Sequence, residues 1–108
     1  MLMYTATIQQ LEEMLQLLRE DGVTGWVPLF TSAKQAIEAG NPQECGRIIL
    51  GGSGGMGSLN DLVLGQTTDS RGNFAWKPGY EKMNNRYQTL LDSLYEFAHN
   101  VRSGDQNT

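Results

Sequence analysis

A chain of 108 residues holds one hydrophobic core, not two. At 39% hydrophobic and 19% charged it is neither disordered nor membrane-like, and no apolar run approaches the ~20 residues of a membrane span. The lone Cys45 excludes an internal disulfide, and a net charge of −4 without clustered Lys and Arg argues against direct contact with nucleic acid.

The N-terminal MLMYTATIQQLEEM has no basic region and no continuous apolar stretch, so no secretory signal is expected and the cytoplasm is the expected compartment. The excess negative charge is confined to residues 1–46, which carry six acidic and two basic side chains; residues 47–108 carry six of each. An acidic half of this kind reads first as an ordinary solubilising surface, and a basic protein partner is the alternative.

The first helix is expected from about Thr7 to Asp21, with Thr5 or Thr7 as cap. Ile8, Leu11, Leu15 and Leu18 share one face, Glu12 and Glu13 sit early in the macrodipole, and Gly22 stops it. The second opens at Thr24, holds Pro28 in its first turn, presents Trp26, Leu29, Phe30, Ala33 and Ile37 on one face, and ends at Gly40. The third has the strongest start signal, with Asn41 as cap, Pro42 first and Glu44 third, and runs to about Leu50.

A glycine stretch, GGSGGMG, follows at 51–57. Gly52 to Gly57 has the spacing G-x-G-x-x-G, but no long helix follows it and no lysine is placed to reach a phosphate, so neither dinucleotide fingerprint nor P-loop is expected. The structural reading is that Gly51 or Gly52 gives a left-handed cap and the other glycines carry the chain past a helix. Ser58 then caps a short turn completed by Asp61, and Met56, Leu59, Leu62 and Leu64 plug the core. Gly52, Gly54, Gly55, Gly57, Ser58, Asn60 and Asp61 are thus assigned to a structural turn.

Residues 65–79, GQTTDSRGNFAWKPG, read as a long surface loop in which Phe74 and Trp76 form a short strand or two anchors. The final helix is marked by an apolar stripe of Tyr80, Met83, Tyr87, Leu90, Leu91, Leu94, Ala98 and Val101. Asn84 flanks the stripe and can bond the backbone of the glycine turn, and Arg86 can pair with Asp61. The predicted fold is all-α: a compact bundle of four to five helices with a central Gly-rich turn and one long loop. Residues 1–102 form the helical domain and 103–108 a flexible tail.

No catalytic set emerges. His99 is the only histidine, nothing places it beside Cys45, and no His or Cys cluster has metal-ligand spacing. Asp61 and Asp69 are better explained as local cap and turn residues than as a carboxylate pair. A non-enzymatic protein without cofactor or metal is expected.

The stretch Gly54–Leu64, GGMGSLNDLVL, with Trp26 before it and Asn84-Asn85-Arg86 opening the last helix, resembles a family of small uncharacterised bacterial proteins. This chain carries an extra Gly-Gly-Ser before the motif and a longer 65–79 loop. The family resembles immunity proteins of contact-dependent growth inhibition and other polymorphic toxin systems. The resemblance implies a protein that neutralises a cognate toxin domain, a basic ribonuclease or other nuclease, by covering its active-site cleft. The expected partner-binding residues are Glu13, Leu17, Glu20 and Asp21 on the outer side of the first helix, with Asp69, Arg71 and Trp76 on the loop. The free protein is expected as a monomer or weak dimer. A helical structural or regulatory module, dimerising through the same surfaces, is the alternative.

Overall fold

The computed structural model describes residues 4–52 and 58–103. In chain order these form α1 (Thr5–Glu20), α2 (Val27–Glu38), α3 (Pro42–Leu50), a single 3-10 turn (Leu59–Asp61), β1 (Gln66–Thr68), β2 (Phe74–Trp76) and α4 (Tyr80–Ser103). The fold is mostly α, but the loop expected at 65–79 contains an antiparallel hairpin, so the all-α expectation is corrected.

Each helix packs on the next, and α4 closes back on α1. Leu11, Met14, Leu15 and Leu18 of α1, Phe30, Ala33 and Ile37 of α2, Cys45 and Ile49 of α3, and Leu90, Leu91, Leu94 and Ala98 of α4 are buried between them. Apart from Met14 and the two α3 residues, these belong to the stripes that the 3–4 spacing of apolar residues marks in the sequence. Tyr4 meets Phe97 edge-on at 5.8 Å between centroids, tying the start of α1 to the last third of α4. The tight α3–α4 crossing occurs at Gly46, where a Cβ would lie 2.6 Å from Val101 Cγ2 and 3.3 Å from the Ala98 backbone.

Several local expectations are corrected. Helix α1 starts at Thr5 behind Tyr4, which makes no side-chain cap bond, and Thr7 is buried inside the helix. The earlier start leaves no acidic residue in the first turn, so Glu12 and Glu13 lie beyond the reach of the N-terminal dipole. Helix α2 is preceded by Trp26 rather than Thr24, whose carbonyl accepts only a turn bond from Val27 N–H. Pro28 stays in the first turn, as its missing N–H requires. At α3 the expectation holds: Asn41 Oδ1 accepts from Glu44 N–H at 3.2 Å, with Pro42 the first helical residue.

Gly51, at φ −63, is right-handed and Gly52 is not left-handed either, so the expected cap conformation is absent at both. Gly52 serves close approach instead: a Cβ there would meet Leu59 Cδ1 at 2.6 Å. Its carbonyl accepts from Leu59 N–H at 3.0 Å, and the Leu59 carbonyl accepts from the Tyr87 hydroxyl at 2.8 Å. Leu59 and Leu64 are fully buried and Leu62 half-buried, as the core-plug reading requires, while Met56, Gly54, Gly55 and Gly57 lie outside the described residues. Ser58 Oγ caps the short turn, accepting from Asn60 N–H at 3.3 Å.

Candidate protein-binding surface

The hairpin is built from a loop whose chemistry the sequence states plainly. Asp69 N–H donates to the Asn73 carbonyl at 2.8 Å and Gly72 N–H to the Asp69 carbonyl at 3.0 Å. Asp69 Oδ1 accepts from both Arg71 N–H (2.9 Å) and Asn73 N–H (3.0 Å). With Gly72 at φ +82 this is a three-residue hairpin connection: a tight turn followed by a left-handed residue. Asp69 is therefore committed to holding the turn, while Arg71 is exposed at its tip.

The register pairs Gln66 with Trp76, Thr67 with Ala75 and Thr68 with Phe74. Bonds from Lys77 N–H to the Gly65 carbonyl and from Asp69 N–H to the Asn73 carbonyl set the phase of the ladder. Gln66, Thr68, Phe74 and Trp76 then occupy non-hydrogen-bonded pairs, so their side chains share one face and their backbone groups point away from the partner strand.

On that outward face lies a run of aromatic rings. Phe74 meets Trp76 edge-on with centroids 4.9 Å apart, and Trp76 stacks on Tyr80 of α4 at 4.5 Å and 20°. Phe74 is 59% and Trp76 44% exposed; with Val63 they are the large hydrophobic side chains exposed among the described residues.

The base of the hairpin is clamped to the bundle. Asp21, immediately after α1, is buried; its Oδ2 accepts from Gly65 N–H at 3.0 Å and its Oδ1 from Lys77 Nζ at 2.9 Å. Lys77 Nζ also donates to the Asp21 carbonyl at 3.2 Å. From the other side Asn84 grips Leu64: its Oδ1 accepts from Leu64 N–H at 2.8 Å, and its Nδ2 donates to the Leu64 and Tyr80 carbonyls, each at 2.9 Å. Gly65 sits between these grips at φ +83, and a Cβ there would run into the Cβ of Tyr80. Both the backbone angle and the space demand glycine.

The expected partner-binding set is divided by this geometry. Asp21 is not on the surface; it is the buried anchor of the hairpin, because α1 ends one residue before it and turns its carboxylate inward. Leu17, placed on the outer face by the sequence, is half-buried against the core. Glu13 is exposed but ion-paired with Arg86, which therefore reaches α1 and not Asp61. Asn84 has a backbone-bonding role of the expected kind, with Leu64 as its partner; residues 53–57 of the glycine turn lie outside the described residues. Glu20, Arg71 and Trp76 are exposed. Phe74, Tyr80 and Lys77 complete the surface, and sequence reasoning does not assign them to it. The signal that could have found them is DSRGN between TT and FAW, a hairpin signature.

Other groups are accounted for elsewhere. A groove between α1 and α2 is crossed by Lys34, 3.0 Å from Glu38 and 4.0 Å from Glu12. Burial pushes the Cys45 thiol up to about 12, so at neutral pH it is a protonated core side chain. His99 is exposed. Arg47 holds the Glu44 carboxyl below its ordinary range through a two-pronged contact at 2.6 Å. Among the described residues no three His, Cys, Asp or Glu side chains are grouped to hold a metal ion, and no helix is long and apolar enough to cross a membrane.

Residues 19–73, half of the chain, match the protein family described as Domain of unknown function (DUF6966). The chain belongs to the DUF6966 family. Comparison with curated proteins and with solved structures gives no match. The DUF6966 match runs from the last turn of α1 to the end of the hairpin turn. It includes Asp21 and Gly65, one half of the clamp, while Lys77, Asn84 and the aromatic run lie after it.

Proposed function

We propose that this chain is an immunity protein that binds a cognate toxin domain in the bacterial cytoplasm, a basic ribonuclease or other nuclease, and covers its active-site cleft. The observation that carries the reading is the exposed run Phe74–Trp76–Tyr80 on a hairpin anchored at both ends of its base. Aromatic side chains held in one conformation supply interface area at low entropic cost, and they dominate the binding energy of protein interfaces. The chain carries a net charge of −4, with the excess confined to residues 1–46, which favours encounter of that half with a basic partner. The resemblance of the Gly54–Leu64 turn to immunity proteins points the same way. Glu20 and Arg71 form the polar surroundings in this reading, with Glu13 contributing through its ion pair to Arg86.

The test is co-expression with the toxin encoded immediately upstream. Cells carrying the wild-type chain survive, and cells carrying Phe74→Ser with Trp76→Ser do not. Absence of protection by the wild-type chain rejects the function; full protection by the double variant rejects the surface.

A further inference from the structure

The aromatic face describes one side of the hairpin; its edge is a separate feature. Among the described residues strand β2 pairs with β1 alone, in a two-stranded sheet. The ladder phase leaves the N–H and C=O groups of Phe74 and Trp76 directed away from β1. Among the described residues no backbone bond to these four groups occurs outside the hairpin. Open edges of this kind are templates for pairing.

We propose that strand β2 pairs antiparallel with β2 of a second copy of this chain about a two-fold axis at Ala75, giving a four-stranded sheet across the dimer. The edge is self-complementary in three respects. In that register Phe74 opposes Trp76 of the other copy and Trp76 opposes Phe74, so all four outward backbone groups on each strand find partners. The same pairing sets Phe74 against the second copy's Trp76 on one face, an aromatic cross-strand pair made twice. The segment Gly72–Trp76 has no charged side chain, so two acidic molecules meet where like charges do not oppose. The other edge, β1, offers no such apolar pairing: Gln66 and Thr68 flank its centre, and Gln66 Nε2 turns back to the Val63 carbonyl at 3.0 Å. Three residues per strand make a small interface, so the dimer forms at high concentration and exchanges readily.

The phase of the ladder provides the test. Phe74 N–H points outward, so Phe74→Pro removes a donor from the edge and leaves the bonds to β1 in place. Sedimentation equilibrium of the isolated wild-type chain from about 1 µM to about 1 mM is expected to show the mass rising from monomer toward dimer. Phe74→Pro stays monomeric with an unchanged helical circular dichroism spectrum. A second variant reports the register without depending on that fold. Ala75→Cys places two thiols across the axis in a non-hydrogen-bonded pair, where Cα atoms lie about 4.5 Å apart, within disulfide reach. Oxidation links Ala75→Cys into covalent dimers, whereas Thr67→Cys at the centre of β1 and the wild-type chain, whose only thiol is buried, give no covalent dimer. A wild-type chain that is monomeric throughout, a Phe74→Pro chain that dimerises normally, or crosslinking at Thr67→Cys in place of Ala75→Cys overturns the proposal. None of these readouts uses the toxin, so the proposal and the immunity reading fail independently.

Discussion

Lys77 Nζ lies 2.9 Å from Asp21 Oδ1 and 3.2 Å from the Asp21 carbonyl, so one ammonium neutralises a buried carboxylate and meets a carbonyl at the end of α1. A cation is favoured at that end of a helix. The two residues stand 56 positions apart, and their pairing joins the hairpin to the first helix. The Asp21 side chain is 3% exposed and that of Lys77 34%, so the carboxylate is the partner that cannot fall back on water.

Removing the lysine alone is therefore costly. Lys77→Met leaves Asp21 buried with Gly65 N–H as a donor and is expected to lower stability by about 2–3 kcal/mol, below the full penalty for breaking a buried pair because Lys77 is partly solvated. Asp21→Asn combined with Lys77→Met removes the uncompensated charge and should recover at least half of that loss. Urea unfolding of the two single variants and the double variant measures the coupling. Additive losses would show that the pair is not coupled.

Gly65→Ala tests the second element of the clamp. Alanine at φ +83 is strained, and its methyl collides with the Cβ of Tyr80, so a loss of about 3 kcal/mol is expected. Gly22 has a similar φ of +73, and a methyl there would have nothing within 4 Å, so Gly22→Ala should cost only about 1 kcal/mol. The difference between the two, read from thermal unfolding, isolates the steric part; equal losses would show that Tyr80 yields without cost.

The helices are legible in the sequence because apolar spacing reports a buried stripe directly, and Leu11, Leu15, Leu18, Leu90, Leu91 and Leu94 all lie in the core. The Asn41-Pro42 start is legible because its cap bond is local, spanning three residues. Asp21 is misplaced by the sequence for the opposite reason. Its fate depends on Gly65 and Lys77, 44 and 56 residues away, and helical periodicity carries no information about such partners. Arg86 reaches Glu13 in place of the expected Asp61 for the same reason, a partner 73 residues distant. The hairpin is half legible: the spacing of Phe74 and Trp76 marks β2 as a short strand, whereas β1, Gln66–Thr68, has no apolar residue and is marked only by the turn DSRGN.

Alkaline pH should unfold the protein through two core groups. Burial raises the pKa of Cys45 from its ordinary 9.0 to about 12, and burial together with the neighbouring Tyr95 raises that of Tyr87 above its ordinary 10.0. Above pH 9 the unfolded chain releases these protons while the folded chain keeps them, so the folded state binds more protons and stability falls as pH rises. The stabilising contribution is full below pH 9 and is lost progressively toward pH 12. Cys45→Ala removes the thiol's part and should flatten the decline between pH 9 and pH 10, measured as urea midpoints across that range. A decline of unchanged slope would rule out Cys45 as its source.

The aromatic run separates binding from stability. Phe74 and Trp76 are 59% and 44% exposed, and neither belongs to the core, so Phe74→Ser with Trp76→Ser should cost no more than about 1 kcal/mol. Core truncation behaves otherwise: Phe30 is fully buried, and Phe30→Ala should cost about 3–5 kcal/mol. Under the proposed immunity reading, the order reverses against the toxin. The double hairpin variant should lose at least about tenfold in affinity, equivalent to about 1.4 kcal/mol, as truncation of central aromatic contacts does. Glu20→Lys lies at the polar margin and should change mainly the association rate, with an effect that shrinks as salt is raised. Calorimetric titration and stopped-flow association with the purified toxin domain measure these. If Glu20→Lys abolishes binding while the hairpin variant binds normally, the toxin rests on α1 and the aromatic run has another purpose.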